Sequence, residues 1–155
     1  MKIMNQEINK AYIKNFLKNN RLAILSTVDE KGLPHAAPIY YISDEALNFF
    51  FVTPIETQKS INIDFQNEVV LTITDEQKKE TVEVKGKSKK DKTLLGGIIE
   101  KLAKKLNENS KFNTNLPLLS HKNQERTVVI INPYEIRMRK YYEDRLEEKT
   151  LKLDK

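Results

Sequence analysis

Two threonines, a glutamine, a lysine and a serine fall within the eight residues Thr53-Pro54-Ile55-Glu56-Thr57-Gln58-Lys59-Ser60, directly behind the apolar run Leu47–Val52. A strand that hands over to a helix at such a corner gathers backbone N–H groups, hydroxyls and one cation. That donor set suits a terminal phosphate. The same residues also make an ordinary capped turn with a solvated lysine, because Thr53 and Glu56 have the spacing of a capping box. Taken alone, the corner leaves both readings open.

Other chemistry has less support. Cysteine is absent, which excludes disulfides, thiolate metal sites and cysteine nucleophiles. The two histidines, His35 and His121, have no partner at metal-ligand spacing. His35 precedes an apolar strand and suits a hydrogen-bonded structural residue or a cofactor neighbour, and His121 suits a surface position. No serine lies in a nucleophile elbow and no Walker sequence is present, so neither catalytic residues nor a metal site are assigned. The formal charge is +5, and much of the excess sits in Lys85–Lys92. That run carries no interleaved aromatic, so nucleic acid is not the expected partner. No apolar stretch is long enough to cross a bilayer and no signal peptide is evident, which makes a cytoplasmic protein without membrane contact the expectation.

The elements that must position the corner follow from periodicity. Ile8, Tyr12, Phe16 and Leu17 mark a first helix ended by Asn19-Asn20. Strands are expected at 22–28, 35–42 and 47–52, with turns at 29–32 and 43–46, followed by a helix over 56–65. Phe49, Phe50 and Phe51 supply core on one face and a platform or interface on the other, while Tyr40 and Tyr41 point to opposite sides. Two more strands span 69–74 and 81–86. Leu94, Leu95, Ile98, Ile99, Leu102 and Leu106 then form one helical stripe, loosened at its start by Gly96-Gly97. A last core strand, 127–131, is ended by Asn132-Pro133, and a short strand follows near 134–139. The fold class is therefore mainly β with α: about six antiparallel strands, with one helix after the third and another after the fifth, suggest a small barrel with helices at its openings. The domain occupies residues 1–142, and 143–155 form a charged tail, helical or disordered.

In order and spacing these segments resemble the FMN-binding split-barrel family, which includes pyridoxamine 5'-phosphate oxidase, small flavin reductases and general stress proteins. The resemblance rests on Leu22–Thr27, Asp29–Ile39, Leu47–Thr53, Thr57–Ile63, Val69–Ile73 and Val82–Gly86, with Thr127–Ile131 similar to the closing strand. It implies a six-stranded antiparallel split β-barrel with flanking helices, and FMN as cofactor. Thr53 matches a hydroxyl near the phosphate or ribityl chain, Thr57 the Ser/Thr before the basic pair, and Lys59 the second basic residue. Gln58 stands where the family commonly has arginine, which removes one cation from the phosphate. Asn62 matches a polar position of local structural role, and Ala37 and Pro38 are the nearest candidates beside the isoalloxazine edge.

The resemblance further implies a homodimer with cofactor at the subunit interface, NAD(P)H as a possible reductant, and an FMN-dependent oxidoreductase of unknown substrate. A non-catalytic flavin-binding or stress-related module is one alternative, and a haem- or F420-binding relative another. The C-terminal arginine and histidine pattern of pyridoxamine 5'-phosphate oxidase itself is not evident, and Arg137 or Arg139 cannot be assigned to it.

Overall fold

Side-chain alternation decides which face of the sheet becomes core. In Leu22–Val28, Ala23, Leu25 and Thr27 are buried while Leu22 and Ile24 stand exposed. The same rule repeats along the chain and curls the sheet around one apolar interior. The structure, a computed structural model, describes residues 2–108 and 124–153; His121 lies outside them.

The element order is β1 (Lys2–Glu7), α1 (Lys10–Asn19), β2 (Leu22–Val28), β3 (Pro34–Tyr40), β4 (Ile42–Ser43), β5 (Phe49–Pro54), α2 (Gln58–Phe65), β6 (Glu68–Asp75), β7 (Glu80–Lys90), a 3₁₀ turn at Lys92–Leu94, α3 (Leu95–Glu108), β8 (Arg126–Tyr141) and β9 (Arg145–Lys152). The six expected antiparallel strands are β2, β3, β5, β6, β7 and β8. They run in the order β3-β2-β6-β7-β8-β5, so the sheet curls into a half-barrel. The two-residue β4 adds to β5, and β9 and β1 extend the sheet beyond the second half of β8. The β1–β9 pair is parallel.

The barrel interior holds Phe16, Leu25, Tyr41, Phe49, Phe51, Leu71 and Ile131, all essentially inaccessible. α1 joins it through Ile13, Phe16 and Leu17, and Asn9 caps that helix by accepting from the N–H groups of Ala11 and Tyr12. A second cluster lies outside the barrel wall. There Ile98 and Leu102 of α3 cover Val128 and Ile130, with Phe50 and Val52 packed alongside. Phe50 is therefore not the open platform that one reading of the three phenylalanines expects, because α3 shields it.

Two expectations are corrected. Asn132-Pro133 does not end a strand: the 16-residue β8 runs through it to Tyr141. Proline lacks the N–H that a ladder needs, and the register shifts between Lys85 and Gly86 directly opposite. A Cβ on Gly86 would fall 2.7 Å from the Asn132 carbonyl oxygen. The bare glycine is what lets the strands stay together across Pro133.

The charged segment 143–155 is neither helical nor disordered over Arg145–Lys152, which form β9. Its charges are used across the sheet, Glu148 accepting from Arg139 at 2.8 Å, and Leu146 and Leu151 are buried. The basic run of β7 is likewise partly engaged. Lys90 donates to the Ser60 carbonyl and pairs with Asp64, both at 2.9 Å, which ties α2 to the barrel.

Gly86→Ala should lower stability by about 1–3 kcal/mol, the range for forcing volume into a packed site. A urea midpoint shifted down with unchanged slope is the expected outcome; an unshifted midpoint contradicts the close-approach account.

Candidate functional site

The barrel does not close. β3 pairs only with β2, and β5 pairs only with β4 and β8, so β3 and β5 lie side by side without a ladder. Along this seam runs a cleft of about 260 Å³. One wall is Pro38, Ile39 and Tyr40 of β3; the other is Val52, Thr53 and Pro54 of β5. Thr57 and Lys59 stand at the end where α2 begins, and Leu102 of α3 and Gln124 close the remaining side.

The start of α2 is shaped by where the two threonine hydroxyls go. Thr57 is the N-cap residue, with extended backbone, yet its side chain accepts nothing from the helix. Its hydroxyl instead donates to the Pro54 carbonyl at 3.0 Å and lies 2.8 Å from the Thr53 hydroxyl. Thr53 is fully buried at the end of β5. The capping box that the Thr53–Glu56 spacing suggests is therefore not formed. Among the described residues no side chain caps α2, and its first-turn N–H groups keep their donor capacity at the positive end of the helix dipole.

Lys59 sits one residue into that turn. It is half-buried and, among the described residues, makes no ion pair or hydrogen bond. Burial without a counter-charge pushes its ammonium below the ordinary lysine value. An anion in the cleft would reverse that cost, since it would supply the charge the site lacks.

Four residues singled out from the sequence, Pro38, Thr53, Thr57 and Lys59, line this one cleft. The other two do not. Gln58 is exposed and donates to the Asn62 side-chain oxygen at 2.7 Å, while Asn62 donates to the Thr27 hydroxyl at 3.0 Å. That chain spans from α2 to β2, so Gln58 is spent on fixing the helix. Ala37 faces the other side of β3 from Pro38 and lies opposite Leu25. His35 is half-buried on the same inner side as Ala37; its Nδ1 is buried without a partner among the described residues, and it does not line the cleft.

Tyr40 lines the cleft while Tyr41 is buried, its hydroxyl donating to the Leu17 carbonyl at 3.0 Å. Sequence reasoning did not bring Val52, Leu102 or Gln124 to the site. Val52 carried a signal, the outward position beside Thr53. Leu102 and Gln124 arrive from distant segments, and no local pattern marks them.

A family model described as pyridoxamine 5'-phosphate oxidase matches residues 10–140, and the chain belongs to that family. Among solved structures it is similar to General Stress Protein 26 from Bacillus anthracis str. Sterne, at 20% identity and TM-score 0.65, covering 93% of this chain and 98% of that one. It is also similar to an F420 reductase, at 18% identity and TM-score 0.66, with 79% and 94% covered. HupZ of Group A Streptococcus resembles it at 20% identity and TM-score 0.58, with 83% and 92% covered. At these identities the likeness to solved structures speaks for the split-barrel fold. No match was found among the curated proteins. Among the described residues, no helix is long and apolar enough to cross a membrane.

Asn62→Ala should destabilise the protein by about 1–3 kcal/mol, because the buried Thr27 hydroxyl loses its partner. Thermal or urea unfolding measures this. The double variant Thr27→Val/Asn62→Leu should recover part of the loss; a single variant as stable as the parent contradicts the role given to this chain.

Proposed function

We propose that this protein is an FMN-dependent oxidoreductase acting as a homodimer, with the FMN phosphate held at the head of α2 by Lys59. One observation carries the reading: a half-buried ammonium without a counter-ion among the described residues, beside a helix start that no side chain caps. A phosphate dianion satisfies both at once. Thr57 borders the same spot and can turn its hydroxyl from Pro54 to a ligand oxygen. With glutamine in place of a second cation at 58, Lys59 carries most of the charge complementarity on the described side of the site.

The remaining lining suits a flat, largely apolar ring. Pro38, Ile39, Tyr40, Val52 and Leu102 provide the surface, and Pro38 contributes no N–H that a ligand would have to satisfy. When bound, FMN accepts a hydride or electrons from a reductant and passes them to an acceptor. The chain's own work is to anchor the phosphate, exclude water and hold the ring's orientation. Among the described residues this lining holds no carboxylate or histidine, and the reading demands no acid or base from the protein. NAD(P)H is the reductant proposed.

The small volume of the cleft supports the dimer reading. A volume of about 260 Å³ lies below the roughly 300–1,000 Å³ usual for ligand pockets. Register places Leu22 opposite Tyr40 and Ile24 opposite Pro38. Leu22 and Ile24 are 46% and 39% exposed, so the apolar lining of the cleft continues onto an open sheet face. A second copy seated there covers that face and deepens the cleft.

Absorbance spectra of protein desalted after incubation with FMN test the cofactor; a retained, perturbed flavin band is expected, and free flavin alone contradicts the proposal. The same measurement with F420 separates the two cofactors. Sustained NAD(P)H oxidation with an electron acceptor separates an enzyme from a binding module, which would hold flavin without turnover.

Lys59→Ala should weaken FMN binding by about 1.5–3 kcal/mol, the range for hydrogen bonds to charged groups, read by quenching of flavin fluorescence. In the parent, affinity should fall as pH rises through the depressed Lys59 value, because the ammonium is then lost. That fall should be absent in Lys59→Ala; an identical pH profile removes Lys59 from the site. Leu22→Asp/Ile24→Asp should give a monomer by light scattering and lose FMN at the same time. A dimer that keeps flavin overturns the placement of the interface.

A further inference from the structure

A second and larger cleft, of about 710 Å³, lies between α1, the β4 turn and α3. Five lysines line it: Lys14 and Lys18 from α1, and Lys101, Lys104 and Lys105 from α3. Asn15, Asn19 and Ser43 add neutral hydrogen-bonding groups. Among the described residues the carboxylates in the lining are Asp44 and Glu45, and both are already committed. Asp44 accepts from the backbone N–H groups of Ala46 and Asn48 and from the Asn48 side chain. Glu45, almost fully exposed, pairs with Lys14 at 2.9 Å.

Lys105 is the buried member of the set. Its ammonium donates to the carbonyl oxygens of Leu17 and Tyr41, both at 3.0 Å, and lies 3.9 Å from the centre of the Tyr41 ring. These are neutral partners, and a lysine ammonium has a third N–H to give. Without a counter-charge, burial drives its pKa down to about 7. Lys18, Lys101 and Lys104 have no hydrogen bond or ion pair among the described residues. Two helices thus turn lysines toward one concave surface and leave most of that charge without an answer.

We propose that this second cleft is a binding site for a small oligophosphate, a phosphate chain either free or carried by a nucleotide. A chain of phosphates places several anionic oxygens along a groove, which matches several separate point cations better than a single carboxylate or monophosphate does. The cleft is large enough for a nucleotide-sized ligand. The site uses none of the seam residues and does not depend on the flavin reading.

The test is calorimetric titration of the full chain with inorganic tripolyphosphate and, separately, with ATP at near-physiological salt. Saturable binding at one site per chain is expected for both. Tighter binding of ATP means the nucleoside is also held, and equal binding means the phosphate chain suffices; either supports the site. Lys101→Glu/Lys104→Glu, at two exposed positions that leave the core intact, should weaken binding about tenfold or more. Lys87→Glu/Lys89→Glu makes the same charge change at exposed positions on β7 and should leave binding nearly unchanged. Equal losses in both double variants would mean attraction to net charge alone and would overturn the site. So would no saturable binding of either probe, or competition with saturating FMN.

Discussion

β3 and β5 meet edge to edge without hydrogen bonds, and the position of every other part of the site depends on that gap. A ladder there would close the barrel and leave no space between Pro38 and Thr53. The gap is held open by what surrounds it. Pro38 cannot donate toward a neighbouring strand, and α3 packs on Phe50, Val52 and Val128 from outside. α2 crosses the end of the seam and is fastened by the Gln58–Asn62–Thr27 chain and by Lys90. The open strand edges therefore become the walls of the cleft, covered by α2 and α3, rather than an aggregation hazard.

Two lysines share one physical predicament in different places. Lys59 in the seam and Lys105 behind Tyr41 are both partly removed from water without a carboxylate, and burial lowers the pKa of each. A folded protein keeps a desolvated cation at a cost in stability, so each site gains from an anion that arrives later. Lys105 recovers part of its cost through two carbonyl oxygens and an aromatic face. Lys59 has no such partners among the described residues.

Much of this was legible in the sequence because it rests on local patterns. The strands expected at 22–28 and 69–74, the stripe of α3, and the strand-to-helix corner at 53–59 all survive in the structure. What was not legible depended on distant partners. Pro133 looked like a strand end because the compensating glycine lies 47 positions earlier, at Gly86. Segment 145–152 looked like a loose charged tail because Glu148 finds its arginine partners, Arg137 and Arg139, across the sheet on β8. Gln58 stands at the family's arginine position, and nothing local shows that its amide is taken up by Asn62 one turn later. Leu102 closes the cleft from a helix whose own pattern speaks only of core.

The central claim is that the seam cleft receives a phosphate at Lys59, and a crystal structure of the protein grown with FMN tests it most directly. The account expects phosphate oxygens within about 3 Å of Lys59 Nζ and of the first-turn N–H groups of α2, the normal hydrogen-bond range, with the ring against Pro38 and Tyr40. A phosphate bound elsewhere, with Lys59 turned to solvent and the seam filled by side chains, would contradict it.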